Sequence, residues 1–175
     1  MRRHPTPFRS RTHLLLLCAV SACGPQIDDA PPEAAAATIT VVDATGTERH
    51  LRGPAQRIVS LVPSATSTLR ALGVESRLVG RTDFDTAPWV QVFPSVGGGL
   101  DPNLEEIVAL QPDLVIRSWG GDARALEFYE RVGIEVVQVG YAPDFDGAAR
   151  VTRDIAEALG QTERGEELVR GLDWQ

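Results

Sequence analysis

After Pro54 the chain alternates between two textures, and this alternation restricts its fold more than any other feature. Short runs rich in branched apolar residues occur at 57–62 (RIVSLV), 78–81 (LVGR), 114–116 (LVI) and 135–139 (EVVQV). Between them lie helix-length stretches at 64–72, 101–110 and 122–132, and another at 145–159 follows the last run. Continuous apolar runs suit parallel strands covered on both faces. Parallel strands need crossovers, and repeated strand–helix units close with one hand. The pattern predicts an α/β fold: a three-layer, Rossmann-like lobe around a mostly parallel sheet. Ahead of it, Ile39, Val41 and Leu51 flank the turn Asp43-Ala44-Thr45-Gly46, predicting a small β-hairpin. In the second helical stretch Asp101 is expected to cap, Pro102 to take the first helical position and Pro112 to stop the helix. Leu104, Ile107 and Val108 would then share a face, with Glu105 on the flank and Glu106 nearly opposite.

This topology predicts where a ligand sits, because open parallel sheets bind beyond the carboxyl ends of their strands. The loops expected there are Pro63-Ser64, 81–85, 97–100, 117–122 and 140–145. They hold Phe84, Trp119, Tyr141 and Phe145 in a chain that is only 6% aromatic. As a group these residues predict an uncharged, aromatic-lined bowl for a flat or bulky ligand.

Other chemistries fail on residue type and spacing. The triplet Gly97-Gly98-Gly99 precedes a helix start, yet no lysine follows it and GxGxxG is absent, so a phosphate cradle is not expected. The glycines instead let the backbone turn sharply or approach a ligand. Ser60, Ser64 and Ser67 lack a GxSxG elbow, His50 belongs to the hairpin, and a helix cap is the better role for Ser64. Asp83 and Asp85 alternate as in a solvated turn. One histidine and one cysteine in the exported form leave only carboxylates as metal ligands, so no metal site, catalytic residue or resident cofactor is expected.

Residues 1–22 carry Arg2, Arg3, Arg9 and Arg11 ahead of the apolar run 14–20, the order of a secretory signal. Val20-Ser21-Ala22-Cys23 resembles a lipoprotein cleavage box, which makes Cys23 the expected lipidation site and membrane anchor. Residues 23–38, rich in proline, alanine and acids, are expected to be a flexible tether. The net charge of −7 becomes −11 without residues 1–22, with 13 arginines against 24 acids. Such an acidic body is a poor partner for nucleic acid.

The segments "RIVSLVPSATSTLRALG", "LVGRTDFD", "VGGGLDPNLEEIVALQPDLVI" and "SWGGD", in this order, resemble the periplasmic binding proteins of iron-siderophore, haem and vitamin B12 ABC importers. The likeness covers about residues 39–175. It implies the amino-terminal lobe of a two-lobed receptor over 39–161, with 162–175 beginning the connecting helix of a truncated chain whose second lobe is absent. It also implies a monomer that captures a small-molecule metal chelate, with cobalamin first and haem or a ferric siderophore next, and delivers it to an ABC permease. By this resemblance Ser64, Phe84, Gly99, Trp119 and Tyr141 face the ligand, and Glu105 docks onto permease arginines. Two positions depart from the family: B12 binders often carry tryptophan where Gly99 stands, and Trp119 sits one place from the usual aromatic. Two alternatives stand beside it: an exported α/β hydrolase-type enzyme using Ser64 and an acidic loop residue, and the ligand-sensing domain of a signalling protein.

Overall fold

The structure, a computed structural model, describes residues 38–120 and 122–172. The expected signal segment, Cys23 and the tether up to residue 37 lie outside the described residues. Strands β1 (Ile39–Val42) and β2 (Glu48–Leu51) pair antiparallel as the expected hairpin. Strands β3 (Ile58–Ser60), β4 (Leu78–Gly80), β5 (Leu114–Ser118) and β6 (Glu135–Val139) form a sheet in the order β4-β3-β5-β6, every pair parallel. The helices are α1 (Pro63–Ala71), α2 (Leu104–Ala109), α3 (Ala123–Arg131), α4 (Phe145–Ala158) and α5 (Thr162–Leu172).

Alternation along the strands sorts the core into two layers. Ile58, Leu114, Ile116, Val137 and Val139 face Leu69 of α1 and Val151 and Ile155 of α4. Val59, Val115 and Val136 face Ile107 of α2 and Tyr129 of α3. The result is a three-layer α/β/α lobe with a mostly parallel sheet. Because β4 lies on one side of β3 and β5 on the other, successive connections leave in opposite directions, and the crevice between the carboxyl ends of β3 and β5 is the topological switch point.

The hairpin is fastened beside the sheet. Ala44 N–H donates to the Gln138 carbonyl on β6 at 2.8 Å. The buried Asp43 carboxylate accepts from Thr45 N–H at 2.9 Å, Thr47 N–H at 3.2 Å and Arg49 Nε at 3.1 Å. Arg49 also reaches Glu130 of α3 at 3.1 Å.

Several local expectations need correction. The helix expected from 101 begins at Leu104, and its cap is Asn103, which accepts from the N–H groups of Glu105 and Glu106 at 3.1 and 3.3 Å. Asp101 lies in a bend and Pro102 in an isolated bridge, where Pro102 pairs with Gly97 and Asn103 N–H donates to the Val96 carbonyl at 2.8 Å. Those bonds hold the backbone open until Asn103. Val108 is 38% exposed and does not share the buried face, which Ile107 fills. Ser64 is not a cap: α1 starts at Pro63, whose ring pre-sets the first helical turn, so Ser64 lies within that turn behind the capless Val62. β3 is shorter than 57–62, whereas β5 runs past Ile116 to take in Arg117 and Ser118.

Candidate functional site

Parallel strands place every loop that follows them at one edge, and backbone bonds knit these loops together. Leu61, leaving β3, donates to the Ile116 carbonyl at 2.8 Å, and Trp119, leaving β5, donates to the Val139 carbonyl at 3.1 Å. Asp83, beyond β4, donates to the Gly97 carbonyl at 3.0 Å, which brings the glycine triplet to the same edge. Gly97 has φ of 91°, the left-handed region that favours glycine. Gly99 has a different reason: a methyl placed on it would come within 2.5 Å of the Leu61 carbonyl oxygen. The glycine loop therefore lies directly on the strand that borders the switch point.

The aromatic side chains at this edge are not packing residues. Phe84 is 68% exposed, Trp119 58% and Tyr141 78%, and the sequence-missed Leu100 is also exposed. Tight local structure holds them out. Around Phe84, the Asp85 carboxylate accepts from Thr82 N–H and Oγ1 at 2.9 and 2.8 Å, while Ser95 Oγ donates to Asp83 at 2.5 Å. Asp85 is only 5% exposed, so it is no solvated turn residue as expected. Its carboxylate replaces solvent as the acceptor for the turn and lifts Phe84 outward. Tyr141 precedes α4, whose Asp144 cap accepts from Gly147 N–H at 2.8 Å.

The edge is not uncharged. Asp83, Asp101, Asp122 and Asp144 are exposed there, although three have fixed partners. Asp122 caps α3; the Arg124 N–H and then its guanidinium hold the Asp122 carboxyl below the usual carboxylate range. Beneath this loop lies Arg117, buried on β5, which the sequence placed in a loop. The alternation of β5 puts it under α3, but sequence cannot show how it is paired.

Ser64 is exposed in the first turn of α1, and among the described residues its hydroxyl contacts no histidine or carboxylate. The ring of His50 instead meets Thr40 Oγ1 at 3.1 Å in the hairpin. The exposed rings can stack on a ligand face, and among the described residues Ser64 has no general base beside it. Glu105 is exposed in the first turn of α2.

The sequence family described as periplasmic binding protein matches residues 58–174. The chain is 31% identical over 167 residues to an uncharacterized ABC transporter substrate-binding lipoprotein, YvrC, of Bacillus subtilis, across 90% of this chain and 53% of that protein. It is 38% identical over 87 residues to a vitamin B12-binding protein of Vibrio campbellii, across 48% of this chain and 31% of that one. The crystal structure of a periplasmic heme binding protein from Pseudomonas aeruginosa matches with TM-score 0.63 at 29% identity, covering 68% of this chain and 43% of that chain. The chain thus spans about half the length, or less, of the proteins it matches. Since the family match extends from the first strand of the parallel sheet through α5 and takes in every loop of the aromatic edge after β3, the chain belongs to the periplasmic binding protein family.

Proposed function

We propose that this chain is the ligand-gripping lobe of the substrate-binding component of an ABC importer, which captures a corrinoid, haem or ferric siderophore and presents it to a membrane permease. The observation that carries this reading is the outward projection of Phe84, Trp119 and Tyr141 at the carboxyl edge of the parallel sheet. Aromatic faces held out in this way cost little further ordering when a large flat ligand stacks on them. Ser64 and Gly99 complete the ligand-facing set: Gly99 keeps the switch-point crevice clear of side chains, and Ser64 supplies a hydroxyl at the start of α1. The protein binds its ligand without making or breaking bonds. Corrinoid is the first choice, supported by the likeness to the Vibrio campbellii protein. Cys23 anchors the exported protein by its lipid, as the name of the Bacillus subtilis relative has it for that protein. Residues 162–172 begin the connection to a second lobe that closes over the ligand.

Equilibrium titration of the full-length protein with cyanocobalamin, haem and a ferric siderophore tests this. Tight binding of one without turnover is expected. Binding of none, together with hydrolysis of an ester, would transfer the assignment to the enzyme alternative.

A further inference from the structure

Arg117 is left without a task by stacking alone. It alternates with Ile116 along β5, so it points with Val115 into the layer under α3, and it is only 3% exposed. Its Nη1 donates to the Asp122 carbonyl at 3.2 Å, and its Nε has no partner. Among the described residues no carboxylate lies within ion-pairing distance of it. The fully buried Tyr129 hydroxyl is also without a partner. Burial pushes that phenol up to about 12, and the neighbouring Arg117 charge pulls it the other way.

The exposed Asp122 carboxylate feels the Arg117 charge without forming an ion pair with it, and a buried guanidinium so weakly compensated is destabilising, so that apolar replacements at such positions are often neutral or stabilising. Its cost to the fold points to a use outside the fold. The position fits: Arg117 lies two residues before Trp119, on a strand that borders the switch point, under the loop that reaches the aromatic edge. Its hydrogen bond to Asp122, the one it makes among the described residues, is longer than the roughly 2.7–2.9 Å of a strong charge-assisted bond, so the side chain gives up little by turning toward an arriving anion. Side-on pairing through Nε and one Nη would then satisfy the unpartnered nitrogen with the fork geometry carboxylates accept.

We propose that Arg117 is the anion-recognising residue of this site, and that the ligand it selects carries a carboxylate. This rests on the binding function proposed above and reorders its ligands: haem or a siderophore bearing free acids moves ahead of cobalamin, whose peripheral acids are amides, and is preferred over a neutral counterpart of the same size.

The test uses the full-length protein with two matched pairs of probes. These are haem against haem dimethyl ester, and ferric citrate against a neutral ferric trihydroxamate, each titrated into wild type, Arg117→Met and Arg117→Lys. Wild type is expected to favour the acid of the pair it binds by about tenfold or more. Arg117→Met should reduce that ratio to about twofold or less without lowering the urea midpoint, because it removes an unpaired buried charge. If the methionine variant does not fold, Arg117→Lys reads the same ratio, and a reduced preference supports the assignment. Equal binding of acid and neutral probe by wild type, or an unchanged preference in the variants, overturns the role of Arg117 while leaving the binding function intact. Binding of cyanocobalamin but of none of the four probes overturns the carboxylate preference while leaving the binding function intact, and binding of neither cyanocobalamin nor any of the four overturns both.

Discussion

Gly99 shows how one residue can be demanded by a contact distant in sequence. Its backbone conformation is not the left-handed one, so the reason for glycine there is the Leu61 carbonyl oxygen, 2.5 Å from where a Cβ would stand. Gly99→Ala should therefore destabilise the protein by roughly 1–3 kcal/mol, as overpacking does. Urea unfolding followed by circular dichroism would measure it, and an unchanged midpoint would mean the loop relaxes freely. The same contact means that an aromatic at 99 would require the loop to rise off Leu61. Glycine's tolerance of close approach was legible in the triplet, but the atom it approaches was not. Asp83 and Asp85 teach the converse lesson. Two acids at alternating positions look alike in sequence, yet Asp85 is buried on Thr82 and Asp83 is exposed with Ser95.

At the scale of elements, two carboxylates, Asp43 in the hairpin and Asp154 on α4, contribute opposite dependences of stability on pH. Burial tends to raise the Asp43 carboxyl, but hydrogen bonds from Thr45, Arg49 and Thr47 outweigh it and leave it below its ordinary 3.8. A lowered carboxyl contributes stability that is present above its unfolded value and is lost as pH falls through the folded value. Asp154, half-buried on α4, is raised above 3.8 by burial first, then by Glu157 and Asp43, against the pull of Arg150. Its destabilising effect sets in as pH rises through the unfolded value near 3.8 and is complete above the folded value. Asp154→Asn should accordingly raise the urea midpoint at pH 7, with the gain shrinking as pH falls and vanishing below about 3.8, where the wild-type carboxyl is protonated in both states. Asp43→Asn should do the reverse, lowering the midpoint at pH 7 and converging with wild type in acid. Midpoints measured from pH 3 to pH 8 for the three proteins check both; a constant offset across that range would remove the electrostatic account. Elements were the most legible level of this protein. All four strands of the sheet, the hairpin and the main helices follow from apolar period and turn residues, and the misplaced start of α2 arose because Pro102 and Asn103 are held in extended pairing with Gly97 and Val96.

For the whole molecule, the family assignment gives Glu105 its proposed task. It is exposed in the first turn of α2 and is placed away from the stacking side chains in sequence and element. Glu105→Arg in the full-length protein should leave ligand affinity within about twofold and weaken association with the permease, since reversing a rim charge acts chiefly on encounter and complementarity. Pull-down or surface-plasmon measurement with the permease in nanodiscs reads this, and equal association by the variant would reject the docking role. The sequence by itself determined the layered α/β lobe, its parallel sheet and the edge at which the loops after the strands gather, because apolar period and strand–helix alternation are properties of neighbouring residues and carry their own handedness. Only the tertiary structure decided which side chains at that edge project and which lie buried. Phe84, Trp119 and Tyr141 project, Asp85 and Arg117 are buried, and Gly99 rests on Leu61, because each outcome depends on a hydrogen bond or a contact made by folding, and neighbouring residue types alone do not specify it.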